Sequence, residues 1–521
     1  MGSFPARIRA RSLAAARGIA KPLLTPSLPD FFLAVLLLAC FGRPLTFQAL
    51  LADGDTGWHI RTGEYILQHH AVPARDLFSF SRPDQPWFAW EWLSDTLFAL
   101  CYRWHGLTAV AALAAVVLCL AAAVLLCWLL RRGVGLWVAF AVTLAVVSAS
   151  SVHYLARPHI FSILLFTATL WILDEDRRVR TGWLWALIPL AALWANLHGG
   201  FLAGLFVLGL QALVMAGQRN RAAFGRYGSI TLLAAAATLV NPYGWRLHQH
   251  IFGYLRSSWI LDSVQEFQSP SIRSENMLVF AALLVAGIAL ASRAIERRHW
   301  FAGILALLWA LAALRSARHI PLFAIAAAPV VAGECAAAWS RRANGSAARS
   351  PGRVLWEAGQ DLGRSARLSC WGPVLAAAAL WLIAIRAPLS DFPDRRFPVA
   401  AVARNLPLLA PPARILTSDQ WADYLIFRFY PRQRVFFDGR SDFYGPALGS
   451  DYQVLLMAAR PWPEVLARYR FDAALLPRDW PLASVLERDA EWQVVDRDSL
   501  AEVLVRRGGL KKPDPRTDGK D

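Results

Sequence analysis

Charged residues are scarce in this sequence. Asp, Glu, Lys and Arg together make up 17% of the 521 residues, whereas 56% of the residues are hydrophobic. Water-soluble domains are rarely so apolar, and the composition therefore argues against a soluble globular protein. The sequence instead predicts a chain that lies largely within a lipid bilayer.

Cysteine is also sparse, and its spacing follows no pattern. The six cysteines lie within or beside apolar runs, and none belongs to a CxxC pair. A disulfide framework or a zinc site needs several cysteines at characteristic spacings, so neither is expected here. We interpret the six as small side chains of the apolar interior.

A continuous basic surface is missing as well. The formal net charge of +17 comes from short clusters of Arg and Lys that stand between apolar runs. Nucleic-acid binding usually requires a basic stripe, whereas isolated clusters are typical of the cytoplasmic loops of membrane proteins. We therefore expect no nucleic-acid partner.

The hydrophobic residues form about eleven runs, and a helix needs roughly 20 residues to cross about 30 Å of hydrocarbon. Basic clusters alternate between the runs, which predicts a multi-pass protein of the bacterial inner (cell) membrane with its N-terminus in the cytoplasm. The first run lacks a signal-peptide cleavage pattern and is interpreted as a retained span. The runs are 30–50, 107–130, 135–151, 159–173, 182–197, 200–217, 229–241, 277–292, 300–314, 320–339 and 371–388.

The predicted fold is therefore an α-helical polytopic membrane protein with about eleven transmembrane helices and a small C-terminal extracytoplasmic α/β domain. An odd number of spans places that domain in the periplasm or outside the cell. Its predicted strands are 414–417, 434–437, 473–476, 492–496 and 502–506, and its predicted helices are 419–430 and 451–469. The parts of the chain are a basic cytoplasmic N-terminus (1–29), a transmembrane domain (30–388) with a large first outer loop (51–106), the α/β domain (389–508) and a disordered tail (509–521).

Polar residues collect on the predicted outer side of the membrane. Ionisable groups near hydrocarbon are costly and usually face a cavity, a substrate path or one another. A single His at a helix end is often only a cap, but here such residues recur in five outer loops, which favours one shared chamber. The candidates in these loops are Asp53, Asp55, His59, Arg157, His159, Asn196, His198, Asn241, Arg315, Arg318 and His319.

Two further segments draw attention. The first outer loop contains an aromatic stretch, 87–92, interpreted as an amphipathic element in the membrane interface, with Glu91 and Asp95 as secondary candidates. In the C-terminal domain, Asp438 and Arg440 flank Gly439, either in a simple turn or facing an acceptor.

These features resemble the class C glycosyltransferases (GT-C), multi-span enzymes that transfer sugars from polyprenyl-phosphate donors outside the cytoplasmic leaflet. The resemblance implies that Asp55 or Asp53 acts as a base or, with Mg²⁺ or Mn²⁺, as a metal ligand, and that transfer inverts the sugar. Trp421-Ala422-Asp423-Tyr424-Leu425 is also similar to the WWDYG motif of oligosaccharyltransferases, although Gln420 and Leu425 depart from it.

The resemblance implies a polyprenyl-phosphate-linked sugar as donor and a cell-envelope glycan, lipid or protein as acceptor. The outer-face Arg residues suit phosphate, because a guanidinium can make two parallel hydrogen bonds to it. A glycan polymerase or ligase with a polyprenyl-diphosphate donor is the alternative enzyme class. A transporter or assembly factor is the non-enzymatic alternative, although the sequence has no clear internal repeat and few charges within its runs.

Overall fold

A computed structural model describes residues 25–508, except 365, 368, 387 and 410–412. The predicted disordered tail and most of the basic N-terminal segment lie outside the described residues. Each of the eleven apolar runs contains a helix. The helices are α1 (Leu28–Phe41), α2 (Pro44–Gln48), α3 (Asp55–His69), α4 (Trp92–Arg131), α5 (Leu136–Ser150), α6 (His159–Val179), α7 (Leu187–Leu197), α8 (Phe201–Gly217), α9 (Arg221–Ala237), α10 (Trp245–Arg256), α11 (Ser258–Ser263), α12 (Glu275–Glu296), α13 (Trp300–Arg315), α14 (Ile320–Asn344), α15 (Pro351–Arg364), α16 (Trp371–Arg386), α17 (Val399–Arg404), α18 (Leu406–Leu409), α19 (Asp419–Phe429), α20 (Ser441–Leu456), α21 (Trp462–Tyr469) and α22 (Pro481–Glu487).

Among the described residues, four helical segments are long and apolar enough to cross a membrane: Trp92–Arg131, Leu136–His153, Glu275–Glu296 and Ala317–Asn344. A fifth span results if α1 and the segment Pro44–Leu51, which are bent by 93°, are counted as one. Four shorter apolar helices of 10–17 residues lie among them. The expectation of several apolar helices is confirmed, and the number of eleven spans stays a prediction.

Helix α4 is bent close to the boundary that the sequence predicts for its membrane run. Gly106 has φ of +59°, a left-handed conformation that glycine adopts without steric cost, and His105 next to it is also non-helical. The part before the bend therefore belongs to the predicted first outer loop, and the apolar run begins at Leu107. Because of the bend, α4 contributes one part to the first loop and the other part to the apolar run.

The C-terminal domain contains a four-stranded sheet with strand order β1-β2-β4-β3. The β1–β2 pair is parallel, and the other two pairs are antiparallel. The helix predicted at 451–469 is two helices, α20 and α21. The strands are β1 (Ile415–Thr417), β2 (Ala473–Pro477), β3 (Trp492–Arg497) and β4 (Ala501–Arg506).

The predicted strand at 434–437 is wrong, and the reason lies in the first outer loop. The Val435 amide donates to the Phe78 carbonyl at 2.8 Å, and the Phe80 amide donates to the Val435 carbonyl at 2.9 Å. The backbone groups that would join the domain's sheet are thus used by the loop. This short parallel bridge between Ser79 and Val435 attaches the C-terminal domain to the first loop.

Helix α3 lies between α4 and α19, and glycines in α3 allow both of these helices to pack closely against it. A Cβ at Gly57 would stand 2.7 Å from the carbonyl oxygen of Asp423 in α19, and one at Gly63 would overlap the backbone of Asp95 in α4. Larger side chains would push these helices apart. The close packing places Asp55, the first residue of α3, where the loop meets the C-terminal domain.

Candidate functional site

A cavity of about 1150 Å³ lies where the loops predicted to be on the outer side meet the C-terminal domain. Residues from the first loop, from the segments around 153–163, 198–206, 251–267 and 309–322, and from the C-terminal domain line it. Separate loops thus share one chamber. The candidates that line it are Asp53, Asp55, His59, Arg157, His159, His198, Arg315, Arg318, His319 and Arg440.

Three carboxylates share the guanidinium of Arg157. Its Nη1 lies 3.0 Å from Asp53 Oδ2 and 2.5 Å from Glu266 Oε1, and its Nη2 lies 2.8 Å from Asp55 Oδ2. Asp53 also accepts a hydrogen bond from the Asp55 amide at 3.0 Å. One guanidinium thus bridges three carboxyl groups.

The environment of Asp55 suits a base. Its second oxygen, Oδ1, is buried and has no hydrogen-bond partner among the described residues. Burial raises the pKa of Asp55 to about 7, against the lowering effect of Arg157, and the charges of Asp53 and Glu266 raise it further. A carboxylate with a pKa near neutrality can take a proton from a hydroxyl group and release it again.

A second buried carboxyl lies behind Asp55. The Gly439 amide donates to Asp423 Oδ1 at 3.1 Å, while Asp423 Oδ2 has no partner within the described part of the chain. A Cβ at Gly439 would overlap Asp55 Oδ1 and stand 2.9 Å from Asp423 Oδ2. Both unpartnered oxygens therefore face the same side of Gly439. Burial, reinforced by the charge of Asp55, raises the pKa of Asp423 well above its usual range.

A third carboxyl group, that of Glu91, faces the cavity beside two imidazoles. Its Oε1 lies 3.5 Å from His198 Nε2, and its Oε2 lies 3.9 Å from His59 Nε2. His59 Nδ1 in turn contacts Asp95 Oδ1 at 2.6 Å. The secondary candidates of the first loop, Glu91 and Asp95, are thus joined through His59.

Further cationic and imidazole groups line the cavity. Arg318 Nε lies 3.9 Å from Glu266 Oε2, and its Nη1 donates to Tyr254 Oη at 3.3 Å. Arg315 is exposed and forms no ion pair within the described residues. His319 donates through Nδ1 to the Ala312 carbonyl at 3.3 Å, which leaves its Nε2 available.

Four candidates do not line the cavity. Asn196 donates to the Val240 carbonyl and accepts from Trp92 Nε1, whereas Asn241 bonds within its own turn. Asp423 and Asp438 are fully buried behind the wall. The two Asn amides are held by backbone and indole groups, and the structure gives them a positional role.

Arg440 reaches the cavity wall, but its charge is already compensated. Its Nη2 contacts Asp76 Oδ1 at 2.8 Å and Asp438 Oδ2 at 2.7 Å, and Tyr444 donates to Asp438 at 2.7 Å. The guanidinium also lies 4.6 Å from the ring of Trp87. Because Asp76 belongs to the first loop, this buried cluster ties the loop to the C-terminal domain.

The interpretation of the aromatic stretch 87–92 as an interfacial element is wrong for its first member. Trp87 is only 4% exposed and packs on Arg440, and the chain becomes helical only at Trp92. A ring in the membrane interface would be open to lipid. Trp90, with its ring 5.1 Å from that of His250, lines the cavity instead.

The arrangement does not fit the expected Mg²⁺ or Mn²⁺. Within the described ranges, no group of three or more His, Cys, Asp or Glu side chains is placed to hold a metal ion. Arg157 occupies the facing oxygens of Asp53 and Asp55, which are the hard ligands that such a cation would need. In this structure Asp53 and Asp55 are paired with a guanidinium.

The partial WWDYG-like motif also lies away from the cavity. Trp421 Nε1 donates to the Arg396 carbonyl at 2.8 Å, and the Tyr424 hydroxyl donates to Asp391 at 3.2 Å. Both rings are buried. Residues 421–425 do not line the cavity, and only Gln420, a position that departs from the motif, lies on its wall.

Sequence reasoning missed two residues that complete the cluster around Asp55. Glu266 contacts Arg157 from a loop more than 100 positions away, and nothing in its local sequence distinguishes it from Asp262. Gly439 was recognised only as part of a turn, although it seats two carboxyl groups. The only sequence feature that could have identified Gly439 as a site residue is its position between Asp438 and Arg440.

No protein-family model matches the chain, and no curated protein sequence matches it. The structure of the archaeal oligosaccharyltransferase AglB from Archaeoglobus fulgidus, in complex with an inhibitory peptide and a dolichol-phosphate, is similar with a TM-score of 0.53 and 14% identity, over 86% of this chain and 69% of AglB. ArnT from Cupriavidus metallidurans bound to undecaprenyl phosphate gives 0.49 and 17%, over 90% and 97% of the two chains. ArnT in the apo state gives 0.48 and 15% over the same shares.

At such low identity the comparison with AglB is evidence about fold. The similarity extends over most of this chain. The resemblance inferred from the sequence is confirmed at this level only: the chain has a fold similar to that of AglB.

Proposed function

We propose that the protein is a membrane glycosyltransferase that transfers a sugar from a polyprenyl-phosphate donor to a cell-envelope acceptor, at the outer face of the inner membrane. The observation that carries the proposal is the pairing of Asp55 with Arg157 in a large cavity. One group can accept a proton, and the other can bind phosphate. The shared fold with AglB, which was solved with a dolichol-phosphate, supports the lipid-linked donor.

Asp55 is the base in this proposal. The acceptor hydroxyl gives its proton to Oδ2, the Asp55 oxygen paired with Arg157, while its own oxygen attacks the anomeric carbon of the donor sugar. The bond between that carbon and the phosphate oxygen breaks, and attack from the opposite side inverts the sugar. Asp53 orients Asp55 through its hydrogen bond to the Asp55 amide.

Arg157, Arg318 and Arg315 stabilise the departing phosphate. The phosphate gains negative charge as it leaves, and guanidinium groups fixed in a cavity oppose that charge at little reorganisation cost. Arg157 is held by three carboxylates, so an entering phosphate competes with them for its donors. This exchange also frees Asp55 Oδ2 from its ion pair.

Apolar side chains of the same cavity suit the lipid part of the donor. Leu202 and Phe206 of α8, Trp309 of α13 and Leu322 of α14 line it together with the charged groups. The rings of Phe206 and Trp309 are 5.9 Å apart, and Trp309 is 5.6 Å from His319. A prenyl chain on this wall would present its phosphate to the basic residues.

A transfer assay tests the proposal. Purified protein in lipid nanodiscs receives polyprenyl-monophosphate sugars with cell-envelope extract as acceptor. We expect transfer by the wild type and a loss of about 10²-fold or more in Asp55→Asn, because the amide cannot accept the proton. Asp262→Asn, an exposed residue outside the cavity wall, serves as the matched control.

Transfer only from diphosphate-linked donors would favour the polymerase or ligase class. Equal rates in wild type and Asp55→Asn would contradict the proposed base. Failure of the wild type with every donor would remove the enzymatic proposal.

A further inference from the structure

The carboxyl group of Glu91 is placed unusually for an acid whose side chain is only 12% exposed. It lines the cavity, and it makes no side-chain hydrogen bond with any described residue. Its polar neighbours are the two imidazoles, at 3.5 Å and 3.9 Å. Burying a carboxyl group without hydrogen bonds is costly, so a role toward a ligand in the cavity is favoured over a purely structural one.

The proton positions on His198 follow from its other contacts. The Gly200 amide donates to Nδ1 at 3.0 Å, and Ser162 Oγ lies 2.7 Å from the same atom. Trp194 Nε1 donates to Ser162 Oγ at 2.6 Å, which leaves the Ser162 hydroxyl proton directed at the ring. Nδ1 is therefore an acceptor, and Nε2 carries the proton that points to Glu91 Oε1.

His59 approaches Glu91 from the other side. One proton lies in the 2.6 Å contact between Asp95 Oδ1 and His59 Nδ1. The opposite ring nitrogen faces Glu91 Oε2 at 3.9 Å, a gap that a small movement or one water can close. Asp95, His59 and Glu91 thus form a line along which a proton can move.

Glu91 holds its proton at neutral pH. Burial raises its pKa to about 8, which outweighs the lowering effects of Arg157 and Arg318, and the charges of Asp55 and Asp442 raise it further. A carboxylic acid that stays protonated at pH 7 can donate, whereas a carboxylate cannot. The same cavity therefore holds two carboxyl groups, Asp55 and Glu91, whose pKa values are both raised toward or above neutrality.

We propose that Glu91 is a catalytic acid of the transfer reaction, which donates its proton to the phosphate oxygen that leaves the anomeric carbon. This assignment rests on the proposed function. The acceptor proton passes to Asp55, the new glycosidic bond forms, the sugar–phosphate bond breaks, and the leaving oxygen takes the Glu91 proton. Asp55 then releases its proton to water, and Glu91 regains one from water or along the line through His59.

A neutral acid suits this step better than another cation. The cavity already contains guanidinium groups that oppose the phosphate charge, and Glu91 adds a proton without holding the product phosphate by a fixed charge. His198 acts as a positioning residue, since its Nε2–H points to Oε1 at 3.5 Å and thereby favours the proton on Oε2.

The test compares Glu91→Gln with the wild type in the nanodisc assay at saturating donor. The amide has nearly the same shape but cannot release a proton, so we expect kcat to fall by about 10²-fold with KM changed only a few-fold. Glu91→Asp, which keeps the acid on a shorter side chain, should recover part of that loss. Glu296→Gln, at an exposed position of α12, controls for the change of charge.

The pH profile gives a second readout that a structural role would not move. We expect wild-type kcat to rise through about pH 7 and to fall above about pH 8, and Glu91→Gln to lose the alkaline fall while keeping the acid rise. The wild type and Glu91→Gln share all the other titratable and charged groups that face position 91, so a difference between their profiles reports on Glu91. These groups are His59, His198, Asp55, Asp442, Arg157 and Arg318.

Two results would overturn the assignment: wild-type kcat in Glu91→Gln, or an unchanged alkaline fall in that variant. In both cases the wild type transfers sugar, so the proposed function would stand, whereas the assignment of Glu91 as the catalytic acid would fail. Absence of transfer by the wild type itself would overturn both.

Discussion

Asp55 Oδ2 lies 2.8 Å from Arg157 Nη2, so the base and the phosphate-binding group of the proposed reaction form an ion pair before any substrate binds. The pair lowers the pKa of Asp55, while burial raises it more strongly. A phosphate that draws Arg157 away would make Asp55 more basic. Donor binding and base activation are thereby coupled through one guanidinium.

The substitution Arg157→Lys tests this coupling. A single ammonium group cannot bridge Asp53, Asp55 and Glu266 in the way that the planar guanidinium does. We expect kcat/KM to fall by about 10²-fold and the acid limb of the pH profile to move to higher pH. Arg246→Lys, at an exposed position, is the control, and a normal profile in Arg157→Lys would argue against the coupling.

The raised pKa of Asp55 predicts how stability depends on pH. The pKa of Asp55 is about 7 in the folded protein and 3.8 in the unfolded chain, so between about pH 4 and pH 7 the folded state holds a proton that the unfolded state has released. Stability contributed by this group is therefore lost as pH rises through that window. Asp55→Asn should melt at a higher temperature than the wild type at pH 8 and at a similar temperature at pH 4, as followed by thermal unfolding in detergent. A lower melting temperature at pH 8 would contradict the assigned burial.

Gly439→Ala should inactivate the protein without unfolding it. The added Cβ would overlap Asp55 Oδ1 and crowd Asp423 Oδ2, so the base must move from its position. A displacement of about 1 Å can cost about 10²-fold in rate. Gly253→Ala, where a Cβ meets nothing within 4 Å, is the matched control. Normal transfer by Gly439→Ala would show that Asp55 tolerates the shift.

Transfer should not depend on a divalent cation. Arg157 occupies the carboxylate oxygens that a metal would need, and the described residues offer no alternative cluster. We expect the same rate with and without EDTA, measured on protein freed of metal by prior dialysis. Loss of activity in EDTA that Mg²⁺ or Mn²⁺ restores would show that a cation displaces Arg157.

Arg440→Ala should destabilise the fold. The change leaves the buried carboxylates of Asp76 and Asp438 without their cation. Removing one partner of a buried ion pair typically costs about 3–5 kcal/mol. Melting of Arg440→Ala compared with that of Arg396→Ala, which also changes a cavity-lining Arg, checks this. Equal stability of the two variants would argue that water enters the cluster.

The helical architecture could be predicted from the sequence because apolar runs are local patterns. Each run contains a helix, and the bend at Gly106 falls next to the predicted start of the second run. The prediction of a strand at 434–437 was wrong because an apolar sequence pattern does not reveal which segment the backbone will pair with. Val435 bonds to the first loop, and only the folded chain shows that choice.

The candidate site could be predicted only in part, for a related reason. Asp53, Asp55 and Arg157 stand at predicted membrane boundaries, where an ionisable group is conspicuous. Glu266 and Gly439 lie in segments without such a signal, and their roles arise from contacts with distant residues. Asn196 was included because it lies at a boundary, but its amide is held by neighbouring groups.

The clamp of Asp76 by Arg440 joins residues 364 positions apart. A ribosome must therefore finish almost the whole chain before the first loop acquires its partner. Until then Asp55 lacks the glycine that seats it, and the cavity lacks one wall. A nascent chain that already has all its apolar helices would contain Asp55 and Arg157 but not the complete cavity. The proposed reaction would therefore begin only after the C-terminal domain has folded onto these residues.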